Sequence, residues 1–131
     1  MSDSQESQET EAVIEELRSL RERIVGITDS VVSTADGMLI ASDSTGIHPE
    51  SMAALGSVAL GLARRTASTA GLGDLREVVT RCQSGYVVVS AIGERALLIL
   101  LGDEGLNAAG LYAQTRQGIE KLAKLLNIAL T

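Results

Sequence analysis

The sequence predicts an α+β domain built on a five-stranded antiparallel sheet, with its elements in the order α-β-β-α-β-β-β-α. Three observations predict it. A narrow helix-period stripe opens the chain, and a long helix rich in small residues occupies its middle. Apolar runs separated by short Gly-bearing turns lie on both sides of that helix. At 131 residues the chain is long enough for one domain with its own core. Hydrophobic residues make up 45% of it, without Trp or Phe and with two Tyr, so that core is aliphatic.

Residues 1–10, MSDSQESQET, offer nothing to bury and are expected to form a disordered N-terminal tail, leaving 11–131 as the folded domain. A helix is expected from Thr10 or Glu11 to Ile24. Val13, Leu17, Leu20 and Ile24 form its stripe, with Glu and Arg around the rest. Gly26 ends it. Two strands follow, Ser30–Thr34 and Met38–Ser42, around Asp36-Gly37, a dipeptide that tolerates the positive φ of a tight hairpin. After the middle helix, Leu75–Arg81, Tyr86–Ile92 and Ala96–Leu101 read as strands, joined by turns at Ser84-Gly85 and Gly93-Glu94 into an antiparallel meander. A last helix spans Asn107–Ala129, its stripe being Ile119, Leu122, Ala123, Leu126 and Leu130.

The middle helix, His48–Ala70, organises the rest. Pro49 suits its first turn and Gly71 its C-terminal cap. Between Glu50 and the pair Arg64–Arg65 lie thirteen residues without a charge. Met52, Leu55, Ala59, Leu62 and Thr66 make one stripe; Gly56, Leu60, Ala63 and Ala67 make a second beside it. A surface helix needs only one such stripe, so this one is expected to be covered twice, by its own sheet and by a second chain. Burial wholly within one domain is the alternative.

The composition excludes several classes of function. A net charge of −6 disfavours nucleic acid and anionic membranes. Two Tyr cannot build a base-stacking platform. The single Cys82 allows no internal disulfide and no cysteine-rich metal site, which suits a reducing cytoplasm. The acidic start lacks the pattern of a signal peptide, and no apolar run reaches the ~18 residues of a membrane span. A cytoplasmic protein is expected.

Chemistry is equally sparse, and no enzyme, cofactor or metal is expected. Gly56 and Gly61 lack the Lys-Ser/Thr of a phosphate loop and sit inside a helix rather than before one. His48, the only histidine, is expected to be exposed at a helix start, without companions to hold a metal. Cys82 has no activating histidine and reads as a small buried or half-buried residue. Asp103 and Glu104 read as negative charge ahead of the last helix rather than as a catalytic pair.

With these elements placed, Val31–Ser42, VVSTADGMLIAS, resembles the hairpin of the Roadblock / dynein light-chain family. The small-residue helix Met52–Ala67, the strand Arg76–Thr80, the Gly-Tyr-Val-Val-Val of residues 85–89 and Ala96–Leu101 agree in order and spacing. The likeness runs from about Leu17 to Leu126. Val25 departs from it, standing where family members often carry Pro before the Gly.

The resemblance implies a homodimer, or a heterodimer with a related subunit, whose middle helices pack antiparallel and whose third strands join two sheets into one. The terminal helices then cover the opposite face. Expected interface residues are Met52, Leu55, Gly56, Ala59, Leu60 and Ala63 on the helix, with Glu77, Val79 and Arg81 on the strand. Pairing about Val79 opposes Glu77 to Arg81 of the partner subunit; a centre between Val78 and Val79 would oppose Arg76 to Arg81. The resemblance also implies a regulator or scaffold that binds a small Ras-like GTPase and biases its nucleotide state, with Arg64 and Arg65 as candidate partner contacts. A pure scaffold or motor adaptor without effect on GTP turnover is the alternative. A small-molecule sensor would need convergent polar groups, which the aliphatic strands do not offer.

Overall fold

A computed structural model describes residues 3–130. The helix α1 (Asp3–Arg23) leads into the hairpin β1 (Ile27–Thr34) and β2 (Leu39–Asp43). The helix α2 (Pro49–Ala70) is followed by β3 (Glu77–Cys82), β4 (Gly85–Ile92) and β5 (Ala96–Gly102). A 3-10 turn at Ala108–Gly110 then feeds α3 (Leu111–Leu125). The five strands form one antiparallel sheet in the order β2-β1-β5-β4-β3, the expected α+β architecture. The meander places β5 centrally, which lets it pair with β1 and leaves β2 and β3 at the two edges.

Both faces of this sheet are covered. Val32, Val88, Leu98 and Leu100 face α1 and α3, packing with Leu17, Leu20, Leu111 and Leu122. Val31, Val89, Leu97 and Ile99 face α2 and meet Ala53 and Leu60. Adjacent strand residues thus serve opposite layers, which is why β5 reads as the unbroken apolar run ALLILLG. The middle helix lies on one face and the terminal helices on the other.

Several boundaries differ from the sequence expectation. The helix α1 begins at Asp3, so the expected tail is helical from that residue, with Ser7, Gln8 and Glu9 exposed. No Gly or Pro interrupts that run, and acidic residues suit a helix N-terminus. Met1 and Ser2 lie outside the described residues. The last helix is shorter than expected because both ends carry their own stops. The Asn107 side chain accepts the Gly110 N–H at 3.3 Å, and Asn127 takes a left-handed φ of 56° where Ile128 N–H returns to the Ala123 carbonyl at 2.8 Å. Leu130 therefore falls beyond α3 and is exposed. Asp103 is not a charge at the helix start; its Oδ1 accepts the Gly105 N–H at 2.8 Å within the turn after β5.

Candidate functional site

The helix α2 starts and stops where its sequence says. His48 is its N-cap, with Nδ1 accepting the Ser51 N–H at 3.3 Å, and Pro49 follows in the first turn. Gly71 ends it in the left-handed conformation, φ 67°. Asp29 fixes the approach, its Oδ1 accepting the Thr45 N–H at 3.1 Å. The Ser57 hydroxyl donates to the Ala35 carbonyl at 2.7 Å and pins α2 to the β1–β2 turn.

Held this way, α2 has an inner and an outer face. Ala53, Gly56 and Leu60 are buried on the sheet. A Cβ at Gly56 would stand 2.4 Å from Ile99 Cδ1, so only Gly allows the helix this close. Gly56 and Leu60, expected at an interface with a second chain, thus serve the intramolecular face. On the outer face Leu55, Val58 and Leu62 are 62%, 69% and 66% exposed. Met52, Ala59 and Ala63 are half-buried along its flank. Val58 was absent from the expected set, although its spacing three after Leu55 and four before Leu62 places it on the same face.

The strand β3 adjoins this face at the sheet edge. Val78 packs into the layer beneath α2, whereas Val79, Thr80, Arg81 and Cys82 are exposed. Cys82 therefore stands in the open rather than buried. Of the usual protections of an edge, β3 has two charges, Glu77 and Arg81, but no Pro and no bulge, its register with β4 running one to one. Glu77, half-buried at its start, has an Oε2 atom shut off from solvent without a hydrogen-bond partner among the described residues. Burial pushes its carboxyl up from the ordinary glutamate value.

Arg64 and Arg65 are both exposed near the end of α2. They diverge: Arg64 lines an open depression with Asp74, Arg76 and Tyr112, and Arg65 does not. In that depression the Arg76 guanidinium lies 5.5 Å from the centre of the Tyr112 ring, tying the approach to β3 to α3.

Residues 13–102 match the model of the Roadblock/LC7 domain family. The chain belongs to the Roadblock/LC7 family. An uncharacterized protein of Methanocaldococcus jannaschii is 32% identical over 98 residues, covering 74% of this chain and 85% of that one. The Roadblock/LC7 domain from Streptomyces avermitilis superposes with a TM-score of 0.76 at 27% identity, covering 86% of this chain and 95% of that one. The gliding protein MglB from Thermus thermophilus shares the fold, with a TM-score of 0.77 at 19% identity and 91% of each chain covered. Membership of the Roadblock family, expected from the hairpin and the small-residue helix, is shown. No described helix is long and apolar enough to cross a membrane.

Proposed function

We propose that this Roadblock domain is a non-enzymatic cytoplasmic subunit that pairs with a second copy of itself. The paired molecule docks a small Ras-like GTPase and biases its nucleotide state. One observation carries the pairing: three large apolar side chains stand in water on the outer face of α2, beside a sheet edge free of Pro and bulges. Two antiparallel α2 helices would cover Leu55, Val58 and Leu62 reciprocally, and two β3 strands would bond the edges. Met52, Ala59 and Ala63 then sit at the margin of the contact, while Gly56 and Leu60 support it from beneath.

The GTPase partner rests on family membership, with Arg64 and Arg65 as the polar contacts nearest the paired helices. Sedimentation equilibrium tests the pairing. The expected result is a dimer for the native chain and a folded single chain for Leu55→Asp, since an exposed position tolerates the charge. A native single chain at every concentration overturns the reading. Titration of small Ras-like GTPases from the source organism, followed by single-turnover GTP hydrolysis and nucleotide exchange, tests the partner. Binding that leaves both rates unchanged would make the molecule a scaffold instead.

A further inference from the structure

The edge strand β3 carries a carboxylate with one oxygen, Oε2, that no described residue partners. Glu77 Oε2 is enclosed and unbonded, and burial has pushed its carboxyl upward. That is the behaviour of a carboxyl partly withdrawn from water with no counter-charge beside it. Glu77, Val79 and Arg81 share one face of β3, standing opposite Ser90, Val88 and Tyr86 of β4. On their other side lies the open edge.

A two-fold axis normal to the sheet limits how a second β3 can lie along that edge. The axis keeps each face of the sheet on its own side, so directly opposed residues must point the same way. Its centre therefore falls on a residue, never between two, which removes the arrangement opposing Arg76 to Arg81. Centred on Glu77, the strands set carboxylate against carboxylate; centred on Arg81, they set guanidinium against guanidinium. Centred on Val78, Glu77 faces Val79 of the partner subunit. Centred on Thr80, it faces Gln83 of the partner subunit. Only a centre on Val79 opposes Glu77 to Arg81 of the partner subunit, and symmetry supplies the pair twice.

We infer that Glu77 and Arg81 form a reciprocal cross-strand pair that fixes the register at Val79 and selects a second copy of this chain as the partner. The inference rests on the β3-edge dimer proposed above. Directly opposed side chains start about 4.5–5.5 Å apart at Cβ, within reach of a guanidinium on a carboxylate. With its side chain turned toward the edge, Glu77 would gain from the paired guanidinium the donor that Oε2 lacks among the described residues. The pair thus sets which edge fits, while the apolar face of α2 supplies the bulk of the contact.

Two differently tagged variants test it, Glu77→Arg and Arg81→Glu. Each alone sets like charges together twice across the axis and should dimerise at least about tenfold more weakly than the native chain. Mixed one to one, they restore both opposite-charge pairs and should yield heterodimer in large excess over either homodimer. Homodimers as tight as the native one, or a statistical mixture, overturn the inference while leaving the dimer intact. A native chain that stays single at all concentrations sinks the dimer reading itself. Circular dichroism monitors folding. If Glu77→Arg alone fails to fold, the double variant Glu77→Arg/Arg81→Glu, which re-forms both pairs within a homodimer, should dimerise near native strength; its failure to do so overturns the inference.

Discussion

Ser30 carries a hydroxyl for which the sheet provides no partner. It is fully buried on β1, and its Oγ bonds to nothing among the described residues. Ser30→Ala removes the orphan without opening a large cavity and should raise stability by about 1 kcal/mol, read as a higher urea midpoint. Gly56 behaves oppositely. Ala normally gains roughly 1 kcal/mol over Gly in a helix, but here its Cβ must displace the fully buried Ile99. Gly56→Ala should therefore lose about 1–3 kcal/mol in the same titration. At Glu77 the sign follows from the raised folded value. The proton is held more tightly in the folded chain, so that contribution to stability is full below 4.5, the unshifted value, and disappears as pH rises through the raised one. In a Leu55→Asp background, Glu77→Gln should thus be the more stable chain at neutral pH, with the difference closing in acid. These residues also mark a limit of sequence reading. Spacing separates the stripe of Leu55 and Leu62 from that of Gly56 and Leu60, yet both are apolar and uncharged. Which one meets the sheet is decided by the fit of Gly56 over Ile99, a contact between residues far apart in the chain.

Elements were legible where their punctuation is local. Pro49 and Gly71 bound α2 as the sequence reads, and Asp36-Gly37 turns the first hairpin, with Gly37 at φ 95°. Boundaries slipped where the stop is a residue that could equally lie in a helix. The Asn107 side chain caps the 3-10 turn ahead of α3 and Asn127 ends α3 in a left-handed backbone conformation, and neither has the unambiguous signature of Gly or Pro. The segment between β2 and α2 is likewise held by a remote group. Asp29, on β1, receives the Thr45 N–H at 3.1 Å and the Gly46 N–H at 3.5 Å. Asp29→Ala should cost about 1–3 kcal/mol and speed amide exchange at Thr45 and Gly46, while the β4–β5 pairing stays protected. Unchanged protection at those two amides would remove Asp29 from this role.

For the whole molecule, element order sufficed to foresee an α+β domain on one antiparallel sheet, whereas the placement of the middle helix on one face and the terminal helices on the other was foreseen only through the family resemblance. The proposed interface was legible only as a surplus. Thirteen uncharged residues on α2 exceed what one sheet can cover, but which residues remain outside emerged only with the packing. Self-association predicts a concentration-dependent melting temperature for the native chain. Differential scanning calorimetry over a hundredfold range should show that rise, and Leu55→Asp/Leu62→Asp should abolish it.

The two rims of the sheet are unlike each other. The β2 rim has a break in its register with β1 between Val32 and Ser33, and Arg21 of α1 clasps Asp43 at 2.7 Å. Such a rim resists accepting another strand. Only one side can be extended, and an extension that joins like to like consumes the sole growing end on both molecules. In the proposed dimer, polymerisation through the sheet would end at its first step, leaving a finite particle instead of a fibre.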